Sequence, residues 1–406
     1  MTTTRPAGLT RISAVPLAFG SIAGSGILSL PSAVYSESGT ASALVWVLAA
    51  AACLPMLLMF RDAMGMSGDG DAIQTLVSRG LRPWVGSAMP LMFLFVVVIG
   101  LPAGCVVAGR YVEDGASVAG VAPAAATAIL AVALVANLLG GQVGRGVQLA
   151  GSTVLVVTGV VLIVSGAGRA THSIDVVPDH QDWGHVLPGV LLAFWAFVGF
   201  ENLTFLGREL RRPARDFLAV STVALTVYGA FALGLTLTIA ATVEQGSVDP
   251  VTGLLQLATN RGDQVGVAVV ALAAMLINAA AWVRGVDHLV AGAARDGRLP
   301  AGLARGGLAR AALLAILFGV SLVLLTTRPD LIVPALAASS AVFVIIYLTC
   351  TVAYVRVVGL RARSGLNALL VPAMVVTLVE SGSRSLYGVI VAIACLVWCG
   401  VRRRPR

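Results

Sequence analysis

Charge is scarce in this chain, and lysine is absent. Only 11% of the 406 residues are charged, all 27 basic residues are arginine, and 58% are hydrophobic. A soluble domain of this size is not built from so little charge. The five cysteines, at positions 53, 105, 350, 395 and 399, lie in apolar stretches without metal-ligand spacing. Cys395 and Cys399 stand one helical turn apart, which is poor geometry for a bridge. The cysteines read as small buried hydrophobes, and no metal site or cofactor is expected. The four histidines are also poorly placed for catalysis. His172, His180 and His185 fall in or near one loop, and only His288 lies in an apolar stretch, so no nucleophile–base pair is evident. An intramembrane enzyme is not expected. The polar start carries no small-residue cleavage site followed by a soluble domain, so the first apolar stretch is expected to be retained.

What is present is a succession of apolar stretches, each near the roughly 20 residues that cross a bilayer as a helix. Twelve are expected, at 10–36, 41–60, 84–111, 121–140, 147–167, 185–207, 217–242, 264–293, 308–326, 331–357, 364–379 and 384–401. The arginines sort by loop. One alternating set, with both termini, holds 21; the other holds five, and Arg284 lies inside the eighth stretch. The asymmetry predicts that both termini are cytoplasmic, in a bacterial-type inner membrane. The net charge of +8 therefore reports topology, not a nucleic-acid partner. The outer loops carry acids instead, among them Asp175, Asp179 and Asp182. Loop 62–83 reads either as a short interfacial helix with an apolar face or as an amphipathic linker.

Two of the twelve stretches are interrupted. Gly24-Ser25-Gly26 sits in the middle of the first, where two glycines weaken a helix that must satisfy its own backbone in lipid. Non-helical backbone at that depth is tolerated where it lines a cavity, and amide groups at a half-helix N-terminus suit an anion such as a carboxylate. The sixth stretch is interrupted at Gly199 and Glu201-Asn202. A carboxylate inside a span is by default a functional residue. Interruptions at positions one and six are spaced by five, the pattern of two inverted five-helix repeats with a site at their interface. Taken singly, each feature has a plainer meaning: Gly-Ser-Gly as a close helix contact, Glu201 as a hydrogen-bonded structural acid, Trp195 as a core or lipid-facing aromatic. Their joint occurrence points to a transporter. A scaffold or receptor gains nothing from exposed backbone in lipid, and a channel needs a ring of similar residues that the spans do not show.

The motifs carry a resemblance. Gly20-Ser-Ile-Ala-Gly-Ser-Gly-Ile27 with Pro31, Phe194-Trp-Ala-Phe-Val-Gly-Phe-Glu201, the loop from Arg208 to Asp216 with its Glu209, Pro213 and Arg215, and Ala294-Arg-Asp-Gly-Arg-Leu-Pro300 together resemble the amino acid–polyamine–organocation superfamily over nearly the whole chain. The resemblance implies an all-α, LeuT-like 5+5 fold: first repeat 1–167, second repeat 185–357, and two further helices with the tail at 364–406. It implies that an amino acid's carboxylate meets the N–H groups of Ala23, Gly24, Ser25, Gly26 and Ile27. Its ammonium then meets carbonyls of Phe194, Trp195, Ala196, Phe197 and Val198. Trp195 matches an aromatic that caps substrate, and Glu201 an acid near the gate. Ile99-Gly-Leu-Pro-Ala103 resembles the bacterial exporters of methionine and branched-chain amino acids. Leu101 stands where arginine/agmatine antiporters carry a polar Asn, which favours an apolar side chain. Trp282 aligns with a tryptophan of their side-chain pocket, or is an ordinary bundle aromatic.

Some proton-coupled relatives place a lysine in the fifth span; without lysine, that device is excluded. Ser25, Ser152 and Thr153 offer hydroxyls for sodium, but no acid accompanies them. Glu201, the one acid in the middle of a broken span, is the expected proton-responsive group, because burial raises a carboxyl pKa toward neutrality. Arg284, Asp287 and His288 share one helix face at i+3 and i+4, and are expected to be a self-neutralised pair facing the cytoplasmic vestibule, or an inner gate or proton relay. The arginine run 208–215 reads as topology and lipid contact, or as a gate bridge. The expected function is export of Met, Leu, Ile or Val by proton antiport, with import or a basic amino acid/polyamine exchange as the alternative. The last two helices are expected to serve either a homodimer contact or lipid packing.

Overall fold

Lipid leaves a backbone little choice but the helix, because every N–H and C=O must be met within the segment. The computed structural model describes residues 9–22, 26–67, 71–140, 144–173, 177–178, 182–197, 199 and 203–402, with backbone alone for 21, 145, 204, 205, 208, 214, 362 and 363. Those residues are helical apart from short connections. In chain order the helices are α1 (Arg11–Ile22), α2 (Gly26–Ser38), α3 (Ser42–Ser67), α4 (Ala72–Gly80), α5 (Pro83–Gly86), α6 (Met89–Ala116), α7 (Ala122–Leu138), α8 (Arg145–Ala167) and α9 (Val186–Phe197). They continue as α10 (Leu203–Arg208), α11 (Pro213–Thr242), α12 (Arg261–Arg295), α13 (Gly302–Arg305), α14 (Gly307–Thr327), α15 (Ile332–Val358), α16 (Ala362–Glu380) and α17 (Ser383–Val401).

Among the described residues, eight stretches are long and apolar enough to cross a membrane. They are 26–67, 83–116, 146–167, 215–242, 261–295, 307–327, 329–358 and 383–401, and α7 and residues 364–380 are shorter apolar helices. The first stretch contains a turn at Gly39–Ala41, between α2 and α3. The expected first and sixth spans correspond to two pairs of short helices, α1 with α2 and α9 with α10.

Helix α6 is the most enclosed, and packs chiefly against α12, α7 and α15. Helices α1 and α2 lie against α11, and α9 lies against α3, α2 and α15. Helix ends are met by side chains where the sequence provides them. The Asp71 carboxylate accepts from the Gln74 N–H at 2.6 Å, and Asn260 from the Asp263 N–H at 3.0 Å, as N-caps do. Loop 62–83 therefore contains a capped helix, α4. Its apolar face is not left for lipid: Leu76 and Val77 are fully buried, and α4 packs on α15 and α3.

Candidate substrate site

Two close approaches bring the expected site segments together. Gly26 opens α2, and a β-carbon built on it would stand 2.9 Å from the Ala196 Cα in α9. Only glycine lets the two backbones meet so closely. On α6, a β-carbon at Gly100 would stand 2.1 Å from the Trp195 indole, so the ring lies across bare backbone. Ile27, Leu101, Phe194, Trp195, Ala196 and Phe197 are all buried. Gly199 has φ +105°, a left-handed backbone that does not continue α9. Ala23, Gly24, Ser25, Val198 and Glu201 lie outside the described residues.

Four of the aromatic side chains, Trp195, Trp282, Phe93 and Phe343, form one connected cluster. Trp195 stacks on Trp282 of α12 with centroids 6.4 Å apart and planes inclined by 20°. Trp282 in turn stacks on Phe93 of α6, at 5.8 Å and 18°. Phe343 of α15 closes the group, edge-on to Phe93 at 5.2 Å and tilted against Trp195 at 6.5 Å. Such offset and edge geometries are the favoured ones for rings. Phe194 meets Tyr347, and Phe197 meets Trp46 and Tyr228. Sequence reasoning singled out Trp195 and Trp282 but missed Phe93 and Phe343. For Phe93 a signal existed: it lies seven residues before Gly100, on the same face of α6.

Polar side chains tie the two ends of the bundle. At one end Arg384 of α17 grips Glu37 of α2 through two hydrogen bonds of 2.8 and 2.9 Å, and His185 lies 3.5 Å from the same carboxylate. Asp182 accepts from both the N–H and the hydroxyl of Thr40, at 2.9 and 2.6 Å. Between the ends, the Tyr111 hydroxyl donates to the Leu28 carbonyl at 2.6 Å, joining α6 to α2.

At the opposite end, Leu9 pairs with the loop after α10: its N–H donates to Glu209 and its carbonyl accepts from Arg211, at 2.8 and 3.0 Å. The ion pair at this loop joins Arg11 to Asp216 at 2.7 Å. Asp287 differs from expectation. Its carboxylate is held by Arg310 of α14 through bonds of 2.7 and 3.0 Å, while His288 on the next position is exposed. The neutralising cation comes from another helix, which spacing along α12 does not reveal. Among the described residues, no three His, Cys, Asp or Glu side chains gather as metal ligands. All five cysteines are buried and free of disulfides.

The amino acid permease family profile matches residues 9–401. An uncharacterized amino acid permease of Bacillus subtilis, YecA, is 25% identical over 305 residues, 72% of this chain and 70% of that protein. An uncharacterized transporter of Mycobacterium tuberculosis, Rv1999c, is 31% identical over 160 residues, 37% of this chain and 35% of its own length. Among solved structures, the Eremococcus coleocola manganese transporter, crystallised with an aromatic bis-isothiourea compound, superposes with a TM-score of 0.59 at 13% identity. The match covers 97% of this chain and 95% of that one. A variant of the same transporter gives 0.62 over 96% and 93%. At this identity the likeness concerns the fold. These relatives are transporters, not enzymes, and the profile spans nearly the whole sequence: the chain belongs to the amino acid permease family.

Proposed function

We propose that the protein is a secondary transporter of neutral, mostly apolar amino acids, of the Met, Leu, Ile and Val class. In this reading it works by alternating access with twelve spans in a 5+5 inverted repeat, exports its substrate, and couples export to protons. The observation that carries the proposal is the meeting of Gly26 with Ala196 beside the Trp195–Trp282 stack. It supports this reading because one residue from each segment expected to bind the amino acid's charged ends meets the other beside an apolar aromatic wall. The carboxylate goes to the N–H groups of residues 23–27 and the ammonium to the carbonyls of 194–198. Leu101, buried and unable to hydrogen-bond a guanidinium, favours an apolar side chain over a basic one. The structural neighbours move manganese. Residues 23–27 and 194–198 contain no carboxylate, imidazole or thiol, so apart from the Ser25 hydroxyl and backbone carbonyls those two segments offer a divalent cation no ligand.

Glu201 is the proposed proton carrier. The test is counterflow in proteoliposomes preloaded with unlabelled leucine or methionine, with and without an imposed pH gradient. Labelled amino acid should accumulate in response to the gradient, and Glu201→Gln should abolish that response. A Glu201→Gln protein with the wild-type pH profile removes proton coupling from Glu201. Counterflow of basic amino acids alone replaces the substrate class.

A further inference from the structure

Helix α11 runs alongside α1 and α2 in the same direction. The ring of Tyr228 meets Phe19 in α1 with centroids 5.7 Å apart, and the Thr236 hydroxyl donates to the Pro31 carbonyl in α2 at 3.3 Å. Those two α11 residues are about 12 Å apart along the helix, and residues 23–25 lie between their partners in the sequence. Tyr228 also meets Phe197, the last residue of α9, edge-on at 5.6 Å. One side chain thus touches a residue of the helix leading into one proposed substrate segment and a residue of the other.

Tyr228 is fully buried, and among the described residues its hydroxyl has no hydrogen-bond partner. A buried phenol normally finds one. Two threonines of the same helix do: Thr238 and Thr242 each donate to a carbonyl one turn back. Phenylalanine would make the same ring contacts at position 228 without an unmet donor, so packing alone does not account for the oxygen.

We infer that Tyr228 is a further substrate-positioning residue, whose hydroxyl donates a hydrogen bond to the carboxylate of the bound amino acid, directly or through one water. The inference rests on the substrate site proposed above. The carboxylate is the end assigned to residues 23–27, beyond Phe19, and it needs donors. The ammonium, itself a donor, is assigned to the carbonyls of 194–198.

Tyr228→Phe removes one oxygen and leaves the rings in place. In leucine-loaded proteoliposomes, the KM for labelled leucine should rise roughly tenfold, the loss expected for one hydrogen bond to a charged group. The maximal rate should hold, and the melting temperature in detergent should stay or rise. An unchanged KM beside an active wild type overturns the inference and leaves the substrate site standing. A lowered melting temperature with unchanged KM assigns the hydroxyl to structure and overturns it as well. A wild type inactive with every neutral amino acid removes the proposed site and this inference together.

Discussion

Gly100 carries more weight than its lack of a side chain suggests. The Trp195 indole rests on it, so Gly100→Ala forces the ring, and with it the stack on Trp282 and Phe93, to move. Overpacking of this kind costs about 1–3 kcal/mol, partly offset by the better helix propensity of alanine. The expected outcome is a protein that still folds but whose leucine counterflow drops about tenfold, since the displaced ring belongs to the proposed site. Counterflow equal to wild type would show that Trp195 does not line the path. Trp195 and Trp282 were legible in the sequence because a motif and an alignment set them apart. Phe93 was missed although its spacing from Gly100 marked the face; Phe343 was not legible, because a phenylalanine in an apolar helix looks the same whether it faces a site, a neighbour or lipid. The same holds for Tyr228, whose hydroxyl is left without a partner among the described residues, which spacing does not encode.

Between elements, the links that matter are those that periodicity does not encode. Spacing along α12 brought Arg284, Asp287 and His288 onto one face, yet Asp287 is held by Arg310 from α14. Both side chains of that pair are largely buried. Removing the arginine leaves a carboxylate without its bidentate partner, which costs about 3–5 kcal/mol when a charge is stranded. Arg310→Ala should therefore melt well below wild type in detergent, and Arg310→Leu combined with Asp287→Leu should recover much of the loss. Equal melting of Arg310→Ala and wild type would mean that the pair is idle. Helix α4 illustrates the same limit. Its apolar face was readable from residues 72–79, but what covers that face was not: besides neighbouring α3, it packs on α15, far along the chain. The helices themselves were readable, because lipid makes apolar length nearly sufficient to predict a helix. The arginine latch at Glu37 was not, since Arg384 and Glu37 lie 347 positions apart.

At the scale of the molecule, the open quantity is the number of crossings, and one loop decides it. Counted by length and hydropathy, residues 243–260 follow the fourth of eight stretches. Counted as proposed, with α1–α2 and α9–α10 as interrupted spans and α7 and α16 as short ones, they follow the seventh of twelve. Starting from the same side, the first count returns the loop to the N-terminal side and the second puts it on the other. Contacts and charge favour the second. The Gln245 side chain donates to the Ser36 carbonyl at 3.4 Å, and Thr252 donates to Asp114 at 2.8 Å. The loop thereby joins the end that carries Glu37, Asp182 and Arg384, and its own charges, Glu244 and Asp249, are acidic. The chain's other end holds the Arg11–Asp216 and Arg310–Asp287 pairs and Arg298, whose guanidinium donates to the Cys399 carbonyl at 3.1 Å. Arginine-rich segments stay on the cytoplasmic side. Alkaline phosphatase fused after Val248 should therefore be active in a bacterial host, and a fluorescent protein at the C-terminus should fluoresce in the same host. Because both counts are even, the C-terminal reporter only fixes the orientation. An inactive phosphatase after Val248 with a fluorescent C-terminus would require the eight-crossing arrangement. It would also remove the inverted repeat, since the two halves would then no longer enter the bilayer from opposite sides.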